Sequence, residues 1–229
     1  TSGTVGNSPG SISYPELRDY ERRLPVGYLT SDQRHRARAW AGYDVPMPSV
    51  LGGLNISVLH SFESGTPYSA VQNINLTNFL PTLLNGAPYK TYSSGQQYYF
   101  SERGEYRLDD VNSTDVGLNY RLPISRFELF AQAEVLNVFN RQTVRVVNTT
   151  VATANTSTNF TPFNPFTTTQ LIECPQGASG ATCKAMGAHW QKGASFGQPT
   201  SATASTPGNA FTSNYQTART YRFSAGFRF

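Results

Sequence analysis

The clearest strand pattern in the sequence is TYRFSAGFRF at residues 220–229. Its apolar and polar side chains alternate, so that an extended strand would carry them on opposite faces. The apolar face carries Tyr221, Phe223, Ala225, Phe227 and Phe229. The other face carries Arg222 and Arg228 with small residues between them. The pattern therefore predicts a β-strand with one apolar and one polar face.

Four further segments alternate in the same way, at residues 37–45, 54–63, 115–122 and 127–139, and the alternation around residue 220 extends back to residue 216. These segments are longer than the usual strand of about 5 to 6 residues. Their lengths suit transmembrane strands, which need about 9 to 11 residues. The apolar faces hold no Asp, Glu or Lys in their central spans.

The connections between these segments alternate in length. Short turns fall at residues 46–53 and 123–126, whereas long loops fall at 69–112 and 141–215. Short periplasmic turns and long extracellular loops are the plan of an outer-membrane barrel. We therefore predict an all-β fold: an antiparallel transmembrane β-barrel segment of about five long strands. Five strands cannot close a barrel, so more must come from an upstream segment or from other chains. The alternative is a large soluble β-sandwich.

The composition narrows the class of protein. Charged residues make up 14% of the 229 residues, against about 25% in a typical soluble domain, and aromatic residues 13%. A helical bundle, a coiled coil and simple disorder are all excluded by this mixture. The net charge is +4, and the positively charged residues are scattered along the chain, so we predict no nucleic-acid partner. The sequence contains no run of 18 apolar residues, so no transmembrane helix is predicted.

Two cysteines, Cys174 and Cys183, lie in one Gly/Ser/Thr-rich stretch of the second long loop. A pair that closes a small loop outside the core predicts a disulfide and an oxidising compartment. The alternative is two free or metal-binding thiols, although the nearest histidine, His189, gives no recognised zinc spacing.

Several short motifs, in this order, resemble the carboxy-terminal part of TonB-dependent outer-membrane transporters. The resemblance is to the Oar-like group, whose members carry an amino-terminal carboxypeptidase-regulatory-like domain. The motifs are SDQRHR at 31–36, GLNIS at 53–57, SGTPYS at 64–69, FELFAQAEVLNVFNR at 127–141, FGQPTSA at 196–202 and RTYRFSAGFRF at 219–229.

The resemblance implies a bacterial outer-membrane barrel of about 22 strands with a plug in its lumen. It implies import of a scarce ligand (siderophore, cobalamin, glycan or peptide), driven by the TonB–ExbB–ExbD complex acting on a plug that this chain lacks. Residues 1–32 would be an extracellular loop remnant, and residues 33–229 the carboxy-terminal barrel strands. The partners would be outer-membrane lipid, the remaining strands with the plug, and the barrel-assembly machinery.

Specific roles follow for a few residues. A final strand with alternating aromatics is an assembly signal in such proteins, here predicted at Tyr221, Phe223, Gly226, Phe227 and Phe229, although the same aromatics suit an interfacial girdle. Candidate lumen-facing side chains are Glu128, Gln132, Glu134, Arg222 and Arg228. We expect His60 at the interface or on the lipid face. The tyrosine-rich tract 89–106 is either a ligand platform or packs on itself.

No catalytic constellation, cofactor motif or metal-ligand spacing is found in the sequence, so we predict neither an enzyme nor a cofactor. The hypotheses that remain are a transporter, a structural or adhesive surface protein that uses the same strands, and a soluble β-rich enzyme. An upstream plug separates the first from the second, and dependence on detergent separates both from the third.

Overall fold

Five long strands form one antiparallel sheet in this computed structural model, which describes residues 25–75, 79, 96–165, 167–200 and 214–229. Each strand pairs with its neighbour in the chain order of the long strands. The strands, in their order across the sheet, are β1 (Arg36–Val45), β2 (Gly53–Glu63), β7 (Val111–Ile124), β8 (Phe127–Leu136) and β12 (Thr220–Arg228). All five predicted segments are therefore strands, although their ends differ from the prediction.

The register places both long connections at the same end of the strands, which is one edge of the sheet. Arg36 lies opposite Glu63, Glu63 opposite Val111, and Thr220 opposite Leu136. We refer to this as the long-connection edge. Both short turns lie at the other edge, the short-turn edge, where Val45 pairs with Leu54 and Ile124 with Phe127.

The turns at the short-turn edge depend on two unusual backbone conformations. A 3-10 turn over Ser49–Leu51 leads into Gly52, which has φ of 81°. A Cβ at Gly52 would collide with the backbone carbonyl of Arg121, so only glycine fits there. Ser125 takes φ of 55° in the two-residue turn between β7 and β8. Tight hairpin turns of this kind commonly need positive φ.

β8 ends at Leu136, earlier than the predicted end at Phe139. Asn137 interrupts it with φ of 52° and is buried. Its side-chain amide donates to the carbonyls of Arg141 and Thr217, and its Oδ1 accepts from the amide of Arg141. Asparagine tolerates this left-handed conformation better than most residues and satisfies the turn with its own side chain.

The long connections contain regular structure of their own, which was not predicted. The described residues within Thr1–Asp32, Pro67–Arg107 and Asn148–Gln198 form one compact unit, the loop unit. Those within Gln33–Thr66, Leu108–Val147 and Pro199–Phe229 form the other, the sheet unit. The described elements of the loop unit are β3 (Pro67–Tyr68), β4 (Val71–Ile74), β5 (Gln96–Tyr99), β6 (Tyr106–Arg107), β9 (Val151–Thr153), β10 (Glu173–Cys174), α1 (Gly180–Ala185) and β11 (Trp190–Lys192).

These short strands make three small sheets. β3 pairs with β6 and β4 with β5, both antiparallel, whereas β11 lies between β10 and β9. The pair of β10 and β11 is parallel, unlike the five long strands, which are antiparallel as predicted. Within the described part of the chain, no helix has the length and apolarity needed to cross a membrane. The fold is therefore all-β, with α1 as a minor element.

Two hydrophobic clusters give the loop unit its core. The larger contains Tyr98, Phe100, Trp190 and Phe196, and the ring centroids of Tyr98 and Phe100 are 4.9 Å apart. The described part of the tyrosine-rich tract therefore packs inward at Tyr98 and Phe100; residues 80–95, with the start of the tract, lie outside the described residues. So do residues 1–24 of the predicted loop remnant and residues 201–213 of the second long loop.

Candidate functional site

One face of the five-stranded sheet is apolar and exposed. Residues that are paired in the register point to the same face, so the rows across the sheet can be followed from strand to strand. A central row joins Tyr43, Ile56, Leu118, Ala133 and Phe223. Phe223 is 77% exposed, and large hydrophobic side chains of the neighbouring rows are also exposed. A contiguous exposed apolar surface of this kind marks contact with a membrane or another protein.

No Asp, Glu, Lys or Arg lies on this apolar face of the five strands. Its polar side chains gather near the long-connection edge, where His60 is opposite Thr114 and Phe62 opposite Asn112. The Nδ1 atom of His60 lies 2.9 Å from the hydroxyl of Thr114. His60 thus lies at the margin of the apolar surface and is hydrogen-bonded to its cross-strand neighbour.

The other face is polar and carries the five residues predicted to face a lumen. Arg222 is opposite Glu134, Ser224 opposite Gln132 and Arg228 opposite Glu128. Gln132 donates a 2.8 Å hydrogen bond to Glu134, and the Arg228 guanidinium lies 3.9 Å from the Glu128 carboxylate. The structure therefore brings the five together on one face, as their parity predicts; nothing in it shows an enclosed lumen.

Residues of the predicted assembly signal divide between the two faces. Tyr221, Phe223 and Phe227 lie on the apolar face of β12, and the rings of Phe227 and Phe229 are 6.2 Å apart. Gly226 is on the polar face opposite Phe130. A Cβ on Gly226 would meet the Phe130 ring at 2.6 Å, so glycine lets that ring lie across the strand. An aromatic covering a cross-strand glycine protects the exposed backbone.

Cys174 and Cys183 form a disulfide in the loop unit, as predicted. It ties β10 to α1, and both cysteines are fully buried beside Phe160 and Ala188 in the second cluster. α1 begins after Ser179, whose hydroxyl accepts a hydrogen bond from the Thr182 amide as an N-cap. The disulfide and this cap together fix a segment that is otherwise rich in small polar residues.

An ion pair and an aromatic ring hold Lys192 on β11. Its ammonium lies 3.2 Å from the Glu173 carboxylate and 4.8 Å from the centre of the Tyr106 ring. Burial lowers the pKa of Lys192, but its hydrogen bonds to Tyr106 and Glu173 outweigh that effect and raise the pKa overall. Burial raises the pKa of Tyr106. The charged lysine thus links β6, β10 and β11.

We expect His189 to make the stability of the loop unit depend on pH. Its Nδ1 accepts a 3.0 Å hydrogen bond from the Ile172 amide, which requires an unprotonated Nδ1, and burial lowers its pKa below the usual 6.5. A lowered histidine pKa means that the unfolded state binds a proton first as the pH falls. We expect loop-unit stability to be full above about pH 6.5 and to decline below it.

Amide hydrogen exchange of residues 171–192 at pH 7.5 and pH 5.0 measures this effect, after correction for the intrinsic exchange rate. His189→Asn is the control, because its amide oxygen supplies an acceptor near the Nδ1 position that does not titrate. The extra exchange at pH 5.0 should be absent in this variant. Equal loss of protection in both proteins would show that another group causes it.

No group of three or more His, Cys, Asp or Glu side chains suited to a metal ion occurs among the described residues. No family model, curated protein or solved structure matches this chain. The two-faced sheet and the disulfide-bonded loop unit are therefore the features on which function has to rest.

Two features of the sheet face were not predicted. Trp40 and Leu59 lie opposite each other on the polar face, and Trp40 is 79% exposed there. Their parity in the sequence already indicated that face, but not that they would be neighbours. A cleft lined by Glu63, Asp115, Asn137, Arg145 and Arg222 was also missed, because these residues are distant in sequence and come from β2, β7, the segment after β8 and β12.

Proposed function

We propose that this chain is part of a TonB-dependent outer-membrane transporter and supplies five neighbouring strands and two outer connections of its barrel wall. The observation that carries this proposal is the exposed apolar face, which lacks any Asp, Glu, Lys or Arg across five strands, backed by a polar face. In a transmembrane barrel the apolar face contacts lipid and the polar face contacts the lumen.

The height of the apolar surface suits a bilayer. On β7 it runs from Val116 to Ile124, or about 27 Å along the strand at about 3.4 Å per residue. A tilt of about 40° reduces this to roughly 20 Å, near the apolar band of about 25 Å in outer-membrane barrels. Phe127, Phe227 and Phe229 gather toward the short-turn edge of this surface, as an aromatic girdle would.

The arrangement of the connections gives the orientation. Both long connections leave the long-connection edge, which we assign to the outside, and both short turns face the periplasm. The proposed partners are those that the sequence resemblance implies: outer-membrane lipid, further strands with a plug, TonB–ExbB–ExbD acting on that plug, and the barrel-assembly machinery reading Tyr221, Phe223, Phe227 and Phe229 on β12. The disulfide between Cys174 and Cys183 suits a location outside the cytoplasm.

A second candidate is an adhesive or structural surface protein built on the same strands. It is favoured by one observation: the long connections form a unit with two hydrophobic clusters and a disulfide, which is a preformed surface rather than loose loops. The two functions differ in whether a plug fills the barrel.

The experiment is outer-membrane fractionation of cells that make the protein, with detection through residues 219–229. We expect the protein in the outer-membrane fraction, resistant to carbonate extraction and with a mobility in gels that changes on heating. A polypeptide much larger than 25.1 kDa that contains a plug supports transport. A polypeptide near that mass would favour the surface protein, and recovery from the soluble fraction would overturn both.

A further inference from the structure

A cleft of about 670 Å³ opens on the polar face of the sheet unit at the long-connection edge. This volume is in the range of small-molecule sites, about 300 to 1,000 Å³. The side chains that decide its chemistry are Glu63, Asp115, Asn137, Arg145 and Arg222. They come from β2, β7, the turn after β8, the following segment and β12.

The two carboxylates of the cleft are already engaged. Glu63 lies 2.9 Å from the guanidinium of Arg36, which neutralises it. Asp115 accepts a 2.8 Å hydrogen bond from the backbone N–H of Asn137 and a 3.1 Å bond from the Ser113 hydroxyl. Neither carboxylate forms an ion pair with an arginine of the cleft.

The guanidinium groups of Arg145 and Arg222 form no ion pair with the described residues. Arg222 faces Glu134 in the register, a position where a cross-strand ion pair would be expected. Glu134 is instead bound by Gln132, and no carboxylate of the described residues lies within 4 Å of the Arg222 or Arg145 guanidinium. Among the charged side chains that line the cleft, Glu63 is paired with Arg36, so Arg145 and Arg222 share the lining with Asp115 as the one carboxylate that forms no ion pair there.

We propose that this cleft binds a small polar ligand through a carboxylate or phosphate group, held by Arg145 and Arg222. The guanidinium presents paired N–H donors that match the two oxygens of either group. Binding would supply the anion that neither arginine finds among the described residues of the sheet unit. The inference rests on the proposed function in one respect: it gives the imported ligand, or a part of it, an anionic oxygen group.

Isothermal titration of the whole detergent-purified protein at low ionic strength tests the site, with tricarballylate as the carboxylate probe and pyrophosphate as the phosphate probe. We expect one equivalent of at least one probe to bind, and the probe that binds identifies the oxygen group. Arg222→Gln should weaken binding about tenfold or more, because a charge-assisted pair is lost. Arg126→Gln is the matched control, since Arg126 is exposed in the β7–β8 turn at the other edge of the sheet.

Chemical modification of the unaltered protein provides a second readout that does not depend on folding of a variant. Phenylglyoxal reacts with exposed arginines, and the bound probe should protect Arg145 and Arg222 but not Arg126. Absence of binding by both probes, or equal loss of binding in Arg222→Gln and Arg126→Gln, would overturn the site.

Outer-membrane fractionation tests the proposed function separately from the cleft. A protein that fractionates with the outer membrane but binds neither probe would leave the transporter proposal standing and remove the cleft. A protein that binds a probe but is recovered in the soluble fraction would do the reverse.

Discussion

Leu118→Arg should destabilise the protein folded in a bilayer by about 2 to 4 kcal/mol, the range for arginine at the midplane of a lipid-facing barrel strand. Leu118 lies on β7, the central strand of the five, between Ile56 and Ala133 in the middle row of the apolar face. A guanidinium at that depth has no Asp or Glu on its own face with which to form an ion pair. Folding into phospholipid vesicles, followed as a function of urea concentration, measures the difference.

Asn119→Arg is the matched control because it places the same charge one residue along, on the polar face opposite Asn55 and Gln132. We expect it to change stability by less than about 0.5 kcal/mol, as is usual for surface substitutions. If the apolar face were open to water, Leu118→Arg would be equally mild, since Leu118 is 41% exposed. Similar effects of the two substitutions would therefore contradict a lipid-facing surface.

The sheet could be predicted because its information is local. Alternation in residues 54–63 and 220–229 fixes which side chains share a face, and the short turns make neighbouring strands antiparallel. The predicted ends of the strands were less accurate than their positions in the sequence. β8 ends at Leu136 because the side chain of the next residue, Asn137, binds Thr217, which is far away in sequence, and alternation carries no information about such a contact.

The loop unit could not be predicted in detail because its contacts are distant in sequence. Phe100 packs on Trp190 with ring centroids 5.5 Å apart, although the two come from different connections. The pairing of Cys174 with Cys183 was predictable because only two cysteines exist. The cleft could not be predicted. Arg145 and Arg222 line it together only because of the register between β8 and β12, which the sequence pattern does not give.

Replacing both cysteines, Cys174→Ala with Cys183→Ala, should destabilise the loop unit by about 2 to 4 kcal/mol, the usual contribution of a disulfide. The bond links residues separated by 9 in sequence, and without it the unfolded segment gains conformational freedom. The loss also opens space in a cluster where both cysteines are fully buried. Amide hydrogen exchange of residues 171–192 should accelerate by about 30-fold to 1,000-fold, since each 1.4 kcal/mol is a factor of ten.

Lys184→Ala is the control for this prediction, because Lys184 lies on α1 next to Cys183 but is exposed. Its exchange should match that of the unaltered protein, whereas reduction of the disulfide in the unaltered protein should reproduce the double replacement. Strands β7 and β8 should keep their protection, because the sheet unit is stabilised by its own ladder and register. Unchanged exchange in the double variant would mean that the packing of Phe160 and Ala188 holds this segment without the covalent link.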